Sequence, residues 1–104
     1  RGETNFISEI YKTYVGFTAG EISNIRLAAD RGDLSDVRRR AHSLKGSSAN
    51  VGVGSMRDLC AELEIAAASG GRISEMVSRL DGQFGRLKRE LELIYETPEE
   101  DIGR

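Results

Sequence analysis

The chain is poor in most of the residues on which catalytic and structural chemistry is usually built. In 104 positions it holds one cysteine, one histidine, one proline and no tryptophan. A solitary Cys60 excludes an internal disulfide, and a solitary histidine leaves no Cys/His set to hold a metal. Aromatic residues make up 6%, and the three tyrosines show no interleaving with basic residues of the kind that stacks on bases. An excess of one charge is missing too. Lys+Arg 15 against Asp+Glu 17 gives a net of −2, which offers neither a basic field for nucleic acid nor a polybasic tail for a membrane. No apolar run approaches the roughly 18 to 20 residues that span a bilayer, and no signal-peptide pattern opens the chain, so a cytoplasmic location is expected. The length suits one compact domain with a modest core and no separate nucleotide-binding lobe.

What is present is helical periodicity. Phe6, Ile7, Ile10, Tyr11 and Tyr14 form an apolar stripe of about three turns, which Gly16 is expected to interrupt. Thr18 and Glu21 have capping-box spacing for a second helix carrying Ile22, Ile25, Ala28 and Ala29 and stopping near Gly32. Asp33 can cap a third, in which Leu34, Val37, Ala41, Leu44, Ser48 and Val51 step by threes and fours before Gly52. A fourth turns Met56, Leu59, Cys60, Leu63, Ala66 and Ala67 inward and stops at Ser69-Gly70-Gly71. The fifth runs from about Arg72 to Tyr95 with Ile73, Met76, Val77, Leu80, Phe84, Leu87, Leu91 and Ile94 inward. Short glycine-rich connections between amphipathic helices predict an all-α fold, an up-and-down antiparallel four-helix bundle with a short additional N-terminal helix. The domain is expected to fill residues 1–95, and 96–104 to form a frayed acidic tail.

The lone histidine lies in the hexapeptide Ala41-His42-Ser43-Leu44-Lys45-Gly46. Histidine presents a neutral nitrogen nucleophile near pH 7, which invites a chemical role. Ala41 and Leu44 belong to the buried seam, and His42, rotated about 100° from Ala41, should face water. Arg38 and Arg39 lie one turn behind it, Lys45 and Gly46 one turn ahead and Ala49 at two turns. A glycine inside a helix costs roughly 0.5 to 1 kcal/mol relative to alanine, so Gly46 needs a reason. A side chain at position 46 would lean toward the preceding turn and cover the approach to His42; glycine leaves that approach clear. The competing account is that Gly46 lets another helix pack closely. Cys60, Met56 and Met76 sit on apolar stripes and read as core filling.

The run from Gly32-Asp33 through His42, Lys45 and Gly46 to Val51-Gly52, followed by Met56, Cys60 and Leu63-Glu64, resembles the histidine-containing phosphotransfer (HPt) domain of multistep phosphorelays. The resemblance covers most of the chain. It implies that His42 takes a phosphoryl group from a receiver-domain aspartyl phosphate and passes it to another receiver aspartate, with Lys45 neutralising phosphoryl charge and Gly46 leaving room. Arg38, Arg39 and Ala49 would meet the partner, and the nearby cations Arg38, Arg39 and Lys45 would disfavour the imidazolium. The implied partners are response-regulator receivers and a hybrid sensor kinase, met by a monomer. No cofactor or metal is expected on this chain, magnesium being held by the receiver, and no ATP-binding or kinase machinery is visible. Two alternatives stay open: the phosphoacceptor hairpin of a sensor histidine kinase, which usually follows its histidine with an acidic residue where Ser43 stands here, and a non-catalytic helical adaptor.

Overall fold

A computed structural model describes residues 2–95, with side chains from Phe6 onward. The described chain is four helices: α1 (Gly2–Asp30), α2 (Leu34–Asn50), α3 (Gly54–Ser69) and α4 (Ile73–Tyr95). No strand occurs among the described residues.

The three turns share one hydrogen-bonding scheme. The amides of Asp33, Val53 and Gly71 each donate to the carbonyl five residues back, on Ala28, Ser48 and Ala66, at 2.9, 2.9 and 3.1 Å. This closure satisfies carbonyls that a helix end leaves orphaned, and it needs a left-handed residue at the bend. Gly52 and Gly70 supply it with φ of 81° and 78°. At the start of α2 the Asp33 carboxylate accepts from the Asp36 amide at 3.1 Å, the cap expected from its position.

α1 departs from the sequence expectation. Gly16 does not interrupt it, and the two leading helices are one helix of 29 residues. Thr18 caps nothing and lies fully buried in mid-helix. The reason is packing. Tyr14, Thr18, Ile22, Ile25 and Ala28 form one unbroken buried stripe through Gly16, and burying an aliphatic side chain of this kind is worth about 1.5–3 kcal/mol, more than an exposed glycine costs. Conversely Phe6, Ile7 and Ile10, expected inward, are exposed, as is Ile94 at the far end of α4. Tyr11 reaches the Val51 carbonyl where α2 ends, and its ring stacks on Tyr95 at 6.0 Å, so beyond this level no α2 or α3 is left to cover them.

Each helix packs on the next, and α4 packs back on α1. Between α1 and α2, Tyr11 meets Val51, Tyr14 meets Ser48 and Glu21 meets Arg40. Between α3 and α4, Ser55 meets Gln83 and Glu62 meets Arg79. Between α4 and α1, Asp81 meets Arg26 and Tyr95 meets Tyr11. The core joins Ile22 and Ile25 of α1, Val37, Ala41 and Leu44 of α2, Met56, Cys60 and Leu63 of α3, and Val77, Leu80 and Phe84 of α4. The tail at 96–104 lies outside the described residues. Among the described residues no helix is long and apolar enough to cross a membrane.

Candidate functional site

Fully buried Val37, Ala41, Leu44 and Ser48 clamp the inner face of α2 into the core. Helical geometry then fixes the opposite face, and along it Ser35, Arg39, His42, Gly46, Ala49 and Asn50 are all exposed. Apart from Arg39 and His42 these side chains are short or absent. An ideal Cβ at Gly46 would meet no atom within 4 Å. Of the two accounts of that glycine, close helix packing is therefore set aside and open approach is retained.

His42 is 68% exposed, yet one side of its ring is occupied. Its Nδ1 lies 2.9 Å from Oε2 of Glu64 on α3. The other oxygen of the same carboxylate, Oε1, lies 2.8 Å from Lys45 Nζ. Glu64 thus bridges the histidine and the lysine from the neighbouring helix, 22 positions along the chain. It is only 20% exposed, and the Lys45 ammonium holds its carboxyl below the usual carboxylate range, with the His42 hydrogen bond acting the same way and partial burial opposing. A carboxylate facing Nδ1 selects the tautomer in which Nδ1 carries the proton and donates it. The lone pair of that tautomer sits on Nε2 of the largely exposed ring.

Ser35, Arg38, Arg39, His42 and Glu64 line a shallow hollow of about 380 Å³. The structure divides its two arginines. Arg39 pairs with Asp36, a carboxylate that Arg40 also holds at 3.1 Å and that sits below its ordinary range chiefly through the Arg40 hydrogen bond. Arg38 makes no ion pair among the described residues and stands one turn before His42. Arg40 turns away, to Glu21 of α1 at 3.3 Å. Ala49 lies exposed at the far end of the bare face, away from the hollow.

Of the residues singled out in the sequence, Arg38, Arg39 and His42 come together at the hollow, Lys45 joins His42 through Glu64, and Gly46 and Ala49 lie further along the bare face. The expectation of cations alone around the imidazole is incomplete, because a carboxylate faces it and engages one of those cations. Arg39 is tied to Asp36. Glu64 entered the sequence reading only within the resemblance and with no chemical role, although it follows the buried Leu63 and so must flank the α3 seam. Asp36 carried a plainer signal, three and four residues before the arginines that it binds. Cys60 is core filling as read: it is fully buried, and burial with the nearby Glu64 charge pushes its thiol up to about 12.

A family model described as the Hpt domain matches residues 9–97 of the chain. No curated protein and no solved structure matches it.

Proposed function

Since the chain belongs to the Hpt domain family, whose members carry phosphoryl groups on histidine in phosphorelays, we propose that His42 is the residue that accepts the phosphoryl group, and that it does so on Nε2. The observation that carries this reading is the pair His42–Glu64: with Nδ1 engaged at 2.9 Å, the free lone pair is left on Nε2 of a largely exposed ring, one turn from a glycine at which an added Cβ would meet nothing. The donor is an aspartyl phosphate of a receiver domain. The Nε2 lone pair forms the new bond to phosphorus, the phosphorus–oxygen bond to the aspartate breaks, and the carboxylate leaves with that electron pair. Transfer to a second receiver aspartate reverses the step. The magnesium that assists belongs to the receiver, and the exchange takes place in the cytoplasm.

Arg38, unpaired and one turn away, supplies positive charge to the phosphoryl oxygens, and Lys45 neutralises the Glu64 carboxylate that would otherwise repel them. Arg39 and Ala49 contact the receiver at the two ends of the bare face. The fold beneath is an up-and-down antiparallel bundle, a reading supported by the cross-helix pairs, whose numbers fall on one helix as they rise on the next. One copy suffices, since all four helices bury apolar residues against each other.

The test is incubation with a phosphorylated receiver. One label is expected, stable in base and labile in acid as a phosphoramidate is, and absent from His42→Gln with an unchanged helical spectrum. Labelling that survives that substitution would defeat the assignment.

A further inference from the structure

We infer that Glu64 keeps the proton on Nδ1 of His42 through the whole phosphoryl cycle, so that the group is surrendered by a neutral imidazole rather than by an imidazolate. The inference rests on the function proposed above and concerns the discharge step. Glu64 touches neither phosphorus nor Nε2, so it is a positioning residue for the proton.

When Nε2 attacks phosphorus from the tautomer that Glu64 selects, the product ring carries the phosphoryl group on Nε2 and a proton on Nδ1, and its charge is that of an imidazolium. Two fates are open to that proton. If it is lost, Nδ1 turns a lone pair toward a carboxylate oxygen 2.9 Å away, an arrangement of two acceptors with nothing between them. If it stays, the ring cation and the carboxylate form a charge-assisted hydrogen bond. The second is favoured, and it suits discharge. As the receiver carboxylate oxygen bonds to phosphorus, the phosphorus–Nε2 bond breaks and its electron pair returns to Nε2. Because Nδ1 still holds its proton, the leaving group is neutral imidazole, the same tautomer that began the cycle. No proton enters or leaves the site in either direction.

The surroundings of the ring bear on the size of the effect. On α2 it is faced by the cations Arg38, Arg39 and Lys45, and on α3 by Glu64, with the Cys60 thiol buried beneath and pushed up to about 12, so that it stays uncharged. Among the described residues, none of α1 or α4 lines the hollow. Arg39 is paired with Asp36, and Lys45 shares Glu64 with the ring. An opposite charge in contact favours the charged form of the ring, and the sharing of Glu64 with Lys45 reduces that effect without reversing it.

The sign follows. The protonated ring is the reactive donor, and Glu64 preserves it to higher pH. The experiment loads wild type, Glu64→Gln and Lys45→Gln with phosphoramidate, a small-molecule donor that needs no receiver, and follows loss of phosphohistidine to water and to a receiver from about pH 6 to about pH 9. In Glu64→Gln the fall in rate should begin at lower pH than in wild type, the two curves coinciding at the acid end and separating toward the alkaline end. Lys45→Gln leaves the whole Glu64 charge to the ring, so its fall should begin at higher pH than in wild type. Opposite displacements of the two curves cannot come from a common loss of fold. A Glu64→Gln curve that coincides with wild type, or lies below it by a constant factor at every pH, would overturn the inference while leaving His42 as the acceptor. Absence of label on wild-type His42 would overturn both.

Discussion

The hydroxyl of Tyr14 on α1 lies 2.7 Å from that of Ser48 on α2, sealed in the core on the inner side of the helix whose outer side carries His42. It is the innermost polar tie between these helices, spanning 34 positions of sequence. Burial pushes the Tyr14 phenol above its ordinary range, with the Ser48 bond opposing.

The two ends of this bond are not equivalent. Ser48→Ala takes the 2.7 Å partner from a large buried phenol and leaves it only the neighbouring Thr18 hydroxyl, and should cost about 1–3 kcal/mol, whereas Tyr14→Phe leaves a serine that can turn to a carbonyl of its own helix and should cost about 0.5–1.5 kcal/mol. The double substitution should be milder than the sum. Urea midpoints for the three variants measure this, and equal costs for the two singles would contradict it.

At Gly46 stability and transfer should move in opposite directions. The position is exposed and an added Cβ meets nothing, so Gly46→Ala and Gly46→Gln should each raise stability by up to about 1 kcal/mol. Transfer should fall with size, alanine being partly tolerated and glutamine leaning back over the imidazole. A lowered urea midpoint for Gly46→Ala, or full transfer by Gly46→Gln, would contradict the open-approach account.

Lys45→Ala should slow transfer while costing only a few tenths of a kcal/mol, because a half-exposed ion pair is weakened by solvent. Its pH dependence has a definite sign. Glu64 titrates below its ordinary 4.5 in the folded chain, mainly through Lys45, so the stabilisation is present above that pH and lost as pH falls through the folded value. The wild-type advantage should therefore be measurable by urea titration at neutral pH and vanish once the pH falls below the folded value of Glu64. An advantage that persists in acid would assign it to packing instead.

Cys60 should be inert in the native state. A fully buried thiol whose ionisation is pushed up to about 12 presents almost no thiolate at neutral pH. Alkylation by iodoacetamide should track unfolding by urea, and rapid modification of the folded chain would contradict the assignment.

The bounds of α2, α3 and α4 were legible because each carries local punctuation: the Asp33 cap, and the glycines at positions 52 and 70 where the backbone turns left-handed. α1 was misdivided because Gly16 looks like the same punctuation. The difference lies in what surrounds it, since the stripe from Tyr14 to Thr18 runs on beneath Gly16 and the energy of its burial is not visible at the glycine itself. The exposure of Phe6, Ile10 and Ile94 was equally hidden, because it depends on how far α1 and α4 outlast their neighbours.

The candidate site divides along the same line. His42, Lys45 and Gly46 share one helix, and fixed rotation per residue was enough to set them on one face. Glu64 comes from another helix, and its approach to His42 depends on the rotation and register of α3 against α2, to which no spacing in the sequence speaks. The Asp36–Arg39 pair needed no tertiary knowledge, only the three-residue spacing on α2.

Because the Glu64 carboxylate bridges two helices, the chemistry of His42 is a property of the α2–α3 pair and not of the hexapeptide that contains it. One helical turn of slippage moves a side chain about 5.4 Å, nearly twice the 2.9 Å that separates Glu64 from Nδ1. An isolated α2 peptide would keep the histidine, the lysine and the glycine and lose the group that chooses between the two ring nitrogens. Fraying of α3 near Ser69, a turn beyond Glu64, would erase that choice without touching a single residue of α2. The nucleophile is thus coupled to the folding of its neighbour, and anything that strains or steadies the end of α3 acts on His42 through one carboxylate.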